Sequence, residues 1–330
     1  MTPLISRRIL ITGGAGFIGY HLASALAGDD DNDITLVDNF VRGRDDLDLS
    51  RLIDRDNVHM VTGDLTDRTI FDQLGLGYDE VYHLAAIIGV QNVMMRPHEV
   101  VRINAMSTLL LLEWFVNGGG KKLLFSSTSE AYAWTQQFYP LPVPTPEMVP
   151  LALTDLGNPR ATYAGSKIFG ELAVTQYGQH FHKPIVIVRY HNVYGPRMGF
   201  EHVIPQIYKR VLDGQNPLLV YSADHRRAFC YVSDSIDATI ACLRQPIADG
   251  RTFNIGNDQE EISMADLAER IARKAGKAVE LQFEPAAHDP ILRRCPDLSA
   301  IKSALGYQPQ INLDHGLDLT LAWYAKAYAQ

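Results

Sequence analysis

The chain has 330 residues, of which 46% are hydrophobic and 21% charged, and it carries a formal net charge of −8. That is enough for a sizeable core, arranged as one large domain or two closely joined ones. Its dispersed basic residues argue against a nucleic-acid partner, no apolar run reaches the ~18 residues of a membrane span, and Met1 to Arg8 show no signal-peptide pattern, so a cytoplasmic protein without membrane attachment is expected.

The first predicted element is a buried strand over 8–12. It runs into Thr12-Gly13-Gly14-Ala15-Gly16-Phe17-Ile18-Gly19 and then an apolar-periodic helix. Gly13, Gly16 and Gly19 stand three apart, a compact form of the dinucleotide-binding fingerprint. In that reading Gly13 serves the sharp strand-to-helix turn, Gly16 lets backbone amides approach a pyrophosphate, and Gly19 lets the helix pack against the strand. The positive end of the helix dipole then faces the phosphates. A glycine-rich turn also has purely structural uses. The balance is tipped by the next strand, 34–38, whose terminal Asp38 lies about 20 residues beyond the loop. A carboxylate there accepts hydrogen bonds from the adenosine ribose and repels a 2′-phosphate, which predicts NAD over NADP. Arg42 and Arg44 follow as candidates for a 2′-phosphate and keep the alternative open. The acidic run 29–33 reads as a solvated loop.

Further strands are predicted at 57–61, 79–83, 121–126 and 184–190, with helical patterns between them, the longest near 97–117 and 160–181. Such alternation specifies an α/β fold, a Rossmann-type doubly wound parallel sheet. Ligands bind at the carboxyl ends of its strands. The candidate residues therefore follow each strand: the glycine loop, Asp38, Gly63-Asp64-Leu65, His83-Leu84-Ala85-Ala86 and Ser126-Ser127-Thr128-Ser129-Glu130. Six prolines between 140 and 159 make 135–159 a rigid, extended loop. Tyr163 and Lys167 come next, four apart near the start of a helix and so on one face. An ammonium beside a phenol is expected to lower the phenol's pKa, so that the tyrosine can take a proton from a hydroxyl while hydride leaves the same carbon. Tyr and Lys at this spacing are common, and it is the preceding motifs that give the pair its meaning.

Beyond 190 the elements shorten. Helices near 203–213, 263–275 and 314–328 alternate with strands near 218–221 and 252–255, a smaller, interleaved C-terminal substrate-binding lobe. The expected division is 1–190 for the dinucleotide-binding domain, with the strand-helix pair 228–244 returning to its sheet, and 191–330 mainly for the second lobe. Cys230, Cys242 and Cys295 are odd in number and widely spaced and read as reduced core residues. No Cys/His spacing suggests a metal site.

The order TGGAGFIG (12–19), VDNF (37–40), GDLTD (63–67), HLAA (83–86), SSTSEAY (126–132), YAGSK (163–167), RYHNVYGPRM (189–198), RRAFCYVSD (226–234), FNIGN (253–257) and RRCPD (293–297) resembles the extended short-chain dehydrogenase/reductase superfamily. Within it, the chain resembles the NAD-dependent nucleotide-sugar epimerase, dehydratase and decarboxylase branch, over nearly its whole length. The resemblance implies NAD contacts at Gly13, Gly16, Phe17, Ile18, Gly19, Asp38, Asn39, Asp64, Leu65, Leu84, Ala85 and Ala86. It makes Tyr163 the general base and acid, with Lys167 tuning it and holding the nicotinamide ribose. Thr128 would meet the sugar 4-hydroxyl and Ser129 the substrate. Asn192, Arg227 and Arg294 would meet the substrate diphosphate, Arg293 being the alternative to Arg294. The substrate is expected to be UDP-linked and the protein a homodimer, since both long helices are apolar on more than one face. One departure is Ala133, where the branch usually has glycine, which puts the local turn in question.

All members of the branch oxidise carbon 4 of the sugar first. The sequence Thr128-Ser129-Glu130 looks like that of UDP-glucuronate decarboxylases, and DP…RCPD points the same way, whereas YAGSK is closer to the 4-epimerases. Decarboxylation of a UDP-hexuronic acid is the expected reaction. 4-Epimerisation and 4,6-dehydration are the alternatives, and a non-catalytic NAD-sensing regulator a remote one, because such proteins generally lose the tyrosine or lysine.

Overall fold

In chain order the computed structural model, which describes residues 6–285 and 291–329, places β1 (Arg7–Thr12), α1 (Phe17–Leu26), β2 (Asn32–Asp38), α2 (Leu47–Ile53), β3 (Val58–Thr62), α3 (Thr69–Leu74), β4 (Tyr78–His83), α4 (Val90–Met95), α5 (Pro97–Trp114), β5 (Gly120–Thr128), α6 (Glu130–Ala133), α7 (Ala161–Phe181) and β6 (Ile185–Tyr190). There follow β7 (Val193–Tyr194), α8 (Val203–Leu212), β8 (Leu218–Tyr221), β9 (Arg226–Ala228), β10 (Cys230–Tyr231), α9 (Val232–Arg244), β11 (Thr252–Ile255), β12 (Glu261–Ser263), α10 (Met264–Lys274), β13 (Leu281–Glu284), β14 (Arg293–Arg294), α11 (Ser299–Leu305) and α12 (Leu313–Ala329).

Seven strands form the main sheet in the order β11-β6-β5-β4-β1-β2-β3, the Rossmann-type doubly wound arrangement. From β3 to β5 the pairing is parallel throughout. Ile9, Leu10 and Ile11 are wholly buried, as a central strand covered on both faces requires. Leu111, Leu112 and Phe115 join Leu123, Phe125, Val174 and Ile187 in one buried cluster of the sheet and its long helices. α5 starts with Pro97 at its first turn, where the missing N–H costs nothing. α7 stops at His182, which adopts a left-handed conformation at φ +53°.

Two compact units emerge. The first comprises 1–135, 150–189 and 236–253, and the second 136–149, 190–235 and 254–330. The chain does return to the main sheet, but through 236–253 and not through the strand at 228–231. The returning strand is β11, which lies beside β6. β10, expected to return, pairs with β7 in the second unit. A strand as short as β10 has no pattern from which its partner could be read, whereas β11 follows a full helix, the usual crossover to a parallel neighbour. β5 also runs two residues further than expected, so Ser127 and Thr128 lie on the strand itself. Within the second unit the chain at Thr145 bridges Pro296: Thr145 N–H donates to Cys295 O (2.9 Å) and Asp297 N–H to Thr145 O (2.9 Å).

Candidate active site

The glycine loop is built as a cradle that side chains would fill. Gly13 has φ +73°, and a Cβ there would stand 2.9 Å from Ala85 N. A Cβ on Gly19 would stand 2.1 Å from Gly13 O, so α1 lies against the loop only because that position is bare. Gly13 and Gly14 donate to Val37 O, at 2.7 and 3.2 Å, which fixes the loop on the neighbouring strand. Gly16 caps α1, leaving Phe17 and Ile18 in its first turn.

Asp38 closes β2. Its carboxylate accepts from Ala15 N (3.1 Å) and Phe40 N (2.8 Å). Burial raises its pKa, with these amides opposing. Asn39 donates to Asp64 (3.3 Å), which also accepts from the Thr66 amide and hydroxyl, both at 2.8 Å. Burial pushes the Asp64 carboxyl up, but Thr66, Asn39 and the Arg102 charge outweigh it and hold it below its ordinary range. Leu65 is buried beside it.

After β4, Leu84 N–H donates to Thr12 O (3.2 Å) and Ala85 N–H to the Thr12 hydroxyl (3.3 Å). The same hydroxyl pairs with His83 Nδ1 (2.8 Å), and His83 Nε2 pairs with Thr108 (3.1 Å). Burial, with the Lys167 charge adding, drives the His83 pKa down to about 3, so the ring is neutral. Asn104 on α5 clamps the rest of this loop: it accepts from Ile87 N (2.7 Å) and donates to Ile87 O (3.1 Å) and Ser166 Oγ (3.0 Å). The segment 84–87 thus borders the glycine loop on a fixed backbone.

Tyr163 lies partly buried in the first turn of α7 and is hydrogen-bonded to Thr128 at the end of β5. Burial pushes its phenol up to about 12 and the Glu130 charge adds to this, while the Thr128 bond and Arg42 oppose. This corrects the expectation that Lys167 would lower that pKa. Lys167 turns its ammonium to Ser126, donating to the carbonyl at 2.7 Å and reaching the hydroxyl at 3.4 Å. Burial brings Lys167 itself down to about 8, with Glu171 opposing. Glu130 opens α6, its N–H donating to the Thr128 hydroxyl (3.2 Å), and Ser129 is buried just before it. Ala133 completes this short helix, so no glycine is needed there.

Beneath these residues lies a polar network that the sequence reading missed. Arg189 donates to Glu171 through Nε (2.8 Å) and Nη2 (2.6 Å) and to the Tyr132 hydroxyl (2.8 Å), and Ser127 donates to the same carboxylate. All four are buried. The available signal was a glutamate four residues after Lys167, one further turn along the same helix face.

In the second unit β9 pairs with β14 in parallel, with Arg226 opposite Arg293 and Arg227 opposite Arg294. Alternation puts the last two on one face and the first two on the other. Arg293 is bound to Glu261 at 2.7 and 2.8 Å, and Arg226 Nη2 donates to Glu261 O. Arg227 is buried and donates to the carbonyls of Arg226 (2.8 Å) and Ile291 (3.0 Å). Asn192, at φ +42°, donates to Ala228 O (3.1 Å). Asp289 and Pro290, the DP of the DP…RCPD pattern, lie outside the described residues. No group of metal-ligating side chains occurs among the described residues, and no helix among them is long and apolar enough to cross a membrane.

Comparison with known proteins gives three findings. The model of the NAD dependent epimerase/dehydratase family matches residues 9–256. Among curated proteins, the UDP-N-acetyl-α-D-glucosaminuronate decarboxylase of Bacillus cytotoxicus is 31% identical over 97% of this chain and 98% of its own. UDP-glucuronic acid decarboxylase 1 of Xenopus tropicalis is 31% identical over 97% of this chain and 72% of its own. Among solved structures, the UDP-glucuronic acid 4-epimerase of Bacillus cereus, in complex with UDP-glucuronic acid and NAD, has a TM-score of 0.84 at 27% identity, covering 97% of this chain and all of the other.

Proposed function

The chain belongs to the NAD dependent epimerase/dehydratase family, and from that premise we propose that it decarboxylates a UDP-linked hexuronic acid after transient oxidation at sugar carbon 4. The observation that carries this reading is Glu130. It stands at the head of α6, next to the end of β5, and its charge acts on the Tyr163 phenol. Similarity to two UDP-uronate decarboxylases over nearly the whole chain supports it.

The residues divide the work as follows. The cradle of Gly13, Gly16 and Gly19, with the first turn of α1, holds the pyrophosphate of NAD, and Asp38 the adenosine ribose. When bound there, NAD would supply the hydride acceptor for carbon 4 and the hydride donor that restores it. Thr128 orients the 4-hydroxyl while Tyr163 takes its proton. The product is a ketone β to the sugar carboxylate, so the carboxyl carbon leaves as CO₂ and its bonding electrons pass into the carbonyl system. Glu130, beside that edge of the sugar, orients a water that delivers the proton back to carbon 5, and Tyr163 reprotonates the oxygen at carbon 4. Lys167 holds the nicotinamide ribose and Ser129 contacts the sugar. In the second unit, the diphosphate contacts are assigned to Asn192, Arg227 and Arg294. Arg293 is set aside because Glu261 already neutralises it.

Incubation with UDP-glucuronic acid, its N-acetylglucosamine-derived counterpart and neutral UDP-sugars, followed by product mass, tests the reading. Loss of CO₂ supports it, and loss of water would make the protein a dehydratase. An unchanged mass with a 4-epimer formed would favour the epimerase, the second reading, which YAGSK and the Bacillus cereus neighbour support. A homodimer joined through α5 and α7 is part of the proposal, because both helices leave Val101, Met106, Phe169 and Leu172 exposed. The three buried, unbridged cysteines suit a cytoplasmic setting.

A further inference from the structure

We propose that Arg42 is a phosphate-binding residue of the dinucleotide site, its guanidinium reaching from the loop after β2 across the glycine loop to hold the NAD pyrophosphate. The inference rests on the family reading above but adds a cation that the glycine motif lacks. From Thr12 to Gly19 there is no Lys or Arg, so that loop can offer the phosphates backbone amides alone.

The path of the chain puts Arg42 where a cation is missing. Asp38 and Asn39 each accept from the amide two residues on, Phe40 N at 2.8 Å and Val41 N at 3.2 Å. Phe40 is held at φ +57°, which folds the chain back over the end of β2. The next residues lie on the phosphate loop: Arg44 N–H donates to Ala15 O at 3.1 Å, and a Cβ on Gly43 would stand 2.7 Å from Ala15 Cβ. From that anchor Arg42 extends to the opposite wall. Its Nη1 lies 3.5 Å and its Cζ 3.8 Å from the place a Cβ would take on Gly89. The wall is rigid. Asn104 clamps Ile87, and Asn92 donates to Ile88 O at 3.0 Å.

Arg42 thus links the two loops that flank the cradle: its backbone neighbours lie on the glycine loop and its guanidinium lies beside Gly89 in the loop after β4. Its charge also acts on the Tyr163 phenol, whose pKa it lowers against the effect of burial. Lys167, held at Ser126, is the cation given to the nicotinamide ribose, which leaves the pyrophosphate without one. A planar guanidinium suits two phosphates because it donates in a fork.

Calorimetric titration of NAD, NADP, ADP-ribose and adenosine into the parent protein, Arg42→Ala and Arg42→Lys tests the assignment without any turnover. Arg42→Ala should weaken NAD and ADP-ribose by the same factor, about tenfold. It should leave adenosine binding and the NAD:NADP ratio unchanged. Arg42→Lys should recover part of the loss, as a point charge without the fork. Unchanged NAD and ADP-ribose affinity in Arg42→Ala would overturn the proposal, and so would weakening confined to NADP, which would make Arg42 a 2′-phosphate ligand. A parent protein that binds no NAD would instead reject the functional reading on which the proposal rests. Because Arg42 is exposed, the alanine variant should melt with the parent, which separates lost contact from lost fold.

Discussion

In the proposed reaction Tyr163 carries the oxidation step, and its surroundings define what its loss would do. The phenol is asked only for proton transfer, so Tyr163→Phe should cut turnover by ~10²–10⁴-fold or more while NAD binding, measured by titration, stays near the parent value. Near-normal turnover would remove the residue from the mechanism. In the proposed mechanism Glu130 separates decarboxylation from simple epimerisation. Glu130→Gln keeps the shape and removes the charge. The oxidation should survive, so NADH absorbance should build up, while CO₂ release slows by ~10²-fold. The same substitution removes the anion that helps raise the Tyr163 pKa, so the phenol should ionise at lower pH, read as the difference in tyrosinate absorbance against a Glu130→Gln/Tyr163→Phe pair. A Glu130→Gln variant that interconverts 4-epimers at the parent rate would establish the epimerase. The placement of these residues was legible because each stands in a short motif at a strand or helix end. Their protonation was not, because spacing shows which groups are neighbours along a helix but not where an ammonium points. Lys167 turns to Ser126, and burial sets the phenol's pKa.

At the level of elements, the long periodic segments were readable nearly to the residue: α7 was expected over 160–181 and runs Ala161–Phe181. What could not be read is how those elements are locked together, since that depends on polar pairs distant in sequence. Glu171 on α7 and Arg189 on β6 form a buried ion pair that, with Ser127, fixes the strand carrying Thr128. Removing one partner leaves a buried charge, so Glu171→Ala and Arg189→Ala should each cost about 3–5 kcal/mol in urea unfolding. Glu171→Leu/Arg189→Met should cost much less than the sum of the two, because it leaves no charge behind. Additive losses would mean that the pair does not act as a unit. His83 makes the β4 loop sensitive to acid. Its folded pKa of about 3 lies below the ordinary 6.5, so below pH 6.5 the unfolded chain binds a proton that the folded one refuses. The stability this ring contributes is complete above pH 6.5 and falls by up to ~1.4 kcal/mol per pH unit as the pH drops toward 3. His83→Gln should flatten the slope of unfolding free energy between pH 7 and about 5, and an unchanged slope would assign the acid sensitivity to other groups.

For the whole molecule, the sequence was least informative about which segments belong together. The return of 236–253 to the first unit and the assignment of 136–149 to the second follow from pairings of short strands and loops that carry no periodic signature. The surface of the two long helices was better marked. α5 and α7 pack on each other, and each leaves apolar side chains exposed: Val101 and Met106, five apart on α5, and Phe169 and Leu172, three apart on α7. Leu172 is 61% exposed and sits three turns beyond the start of a helix whose inner side holds Tyr163 and Lys167. The proposed homodimer would cover these exposed apolar side chains on α5 and α7 with a second copy about a two-fold axis, so that each residue faces its counterpart or a near neighbour. One charge placed among them is repeated by symmetry and meets its own kind. Leu172→Glu should therefore turn a dimer into a monomer in light scattering after gel filtration, with little change in the melting of the isolated fold, because the side chain is exposed there. Phe169→Ser should weaken the dimer without abolishing it. If the parent protein is monomeric at micromolar concentration, or if Leu172→Glu remains dimeric, then α5 and α7 do not form the contact, and these apolar side chains need another occupant.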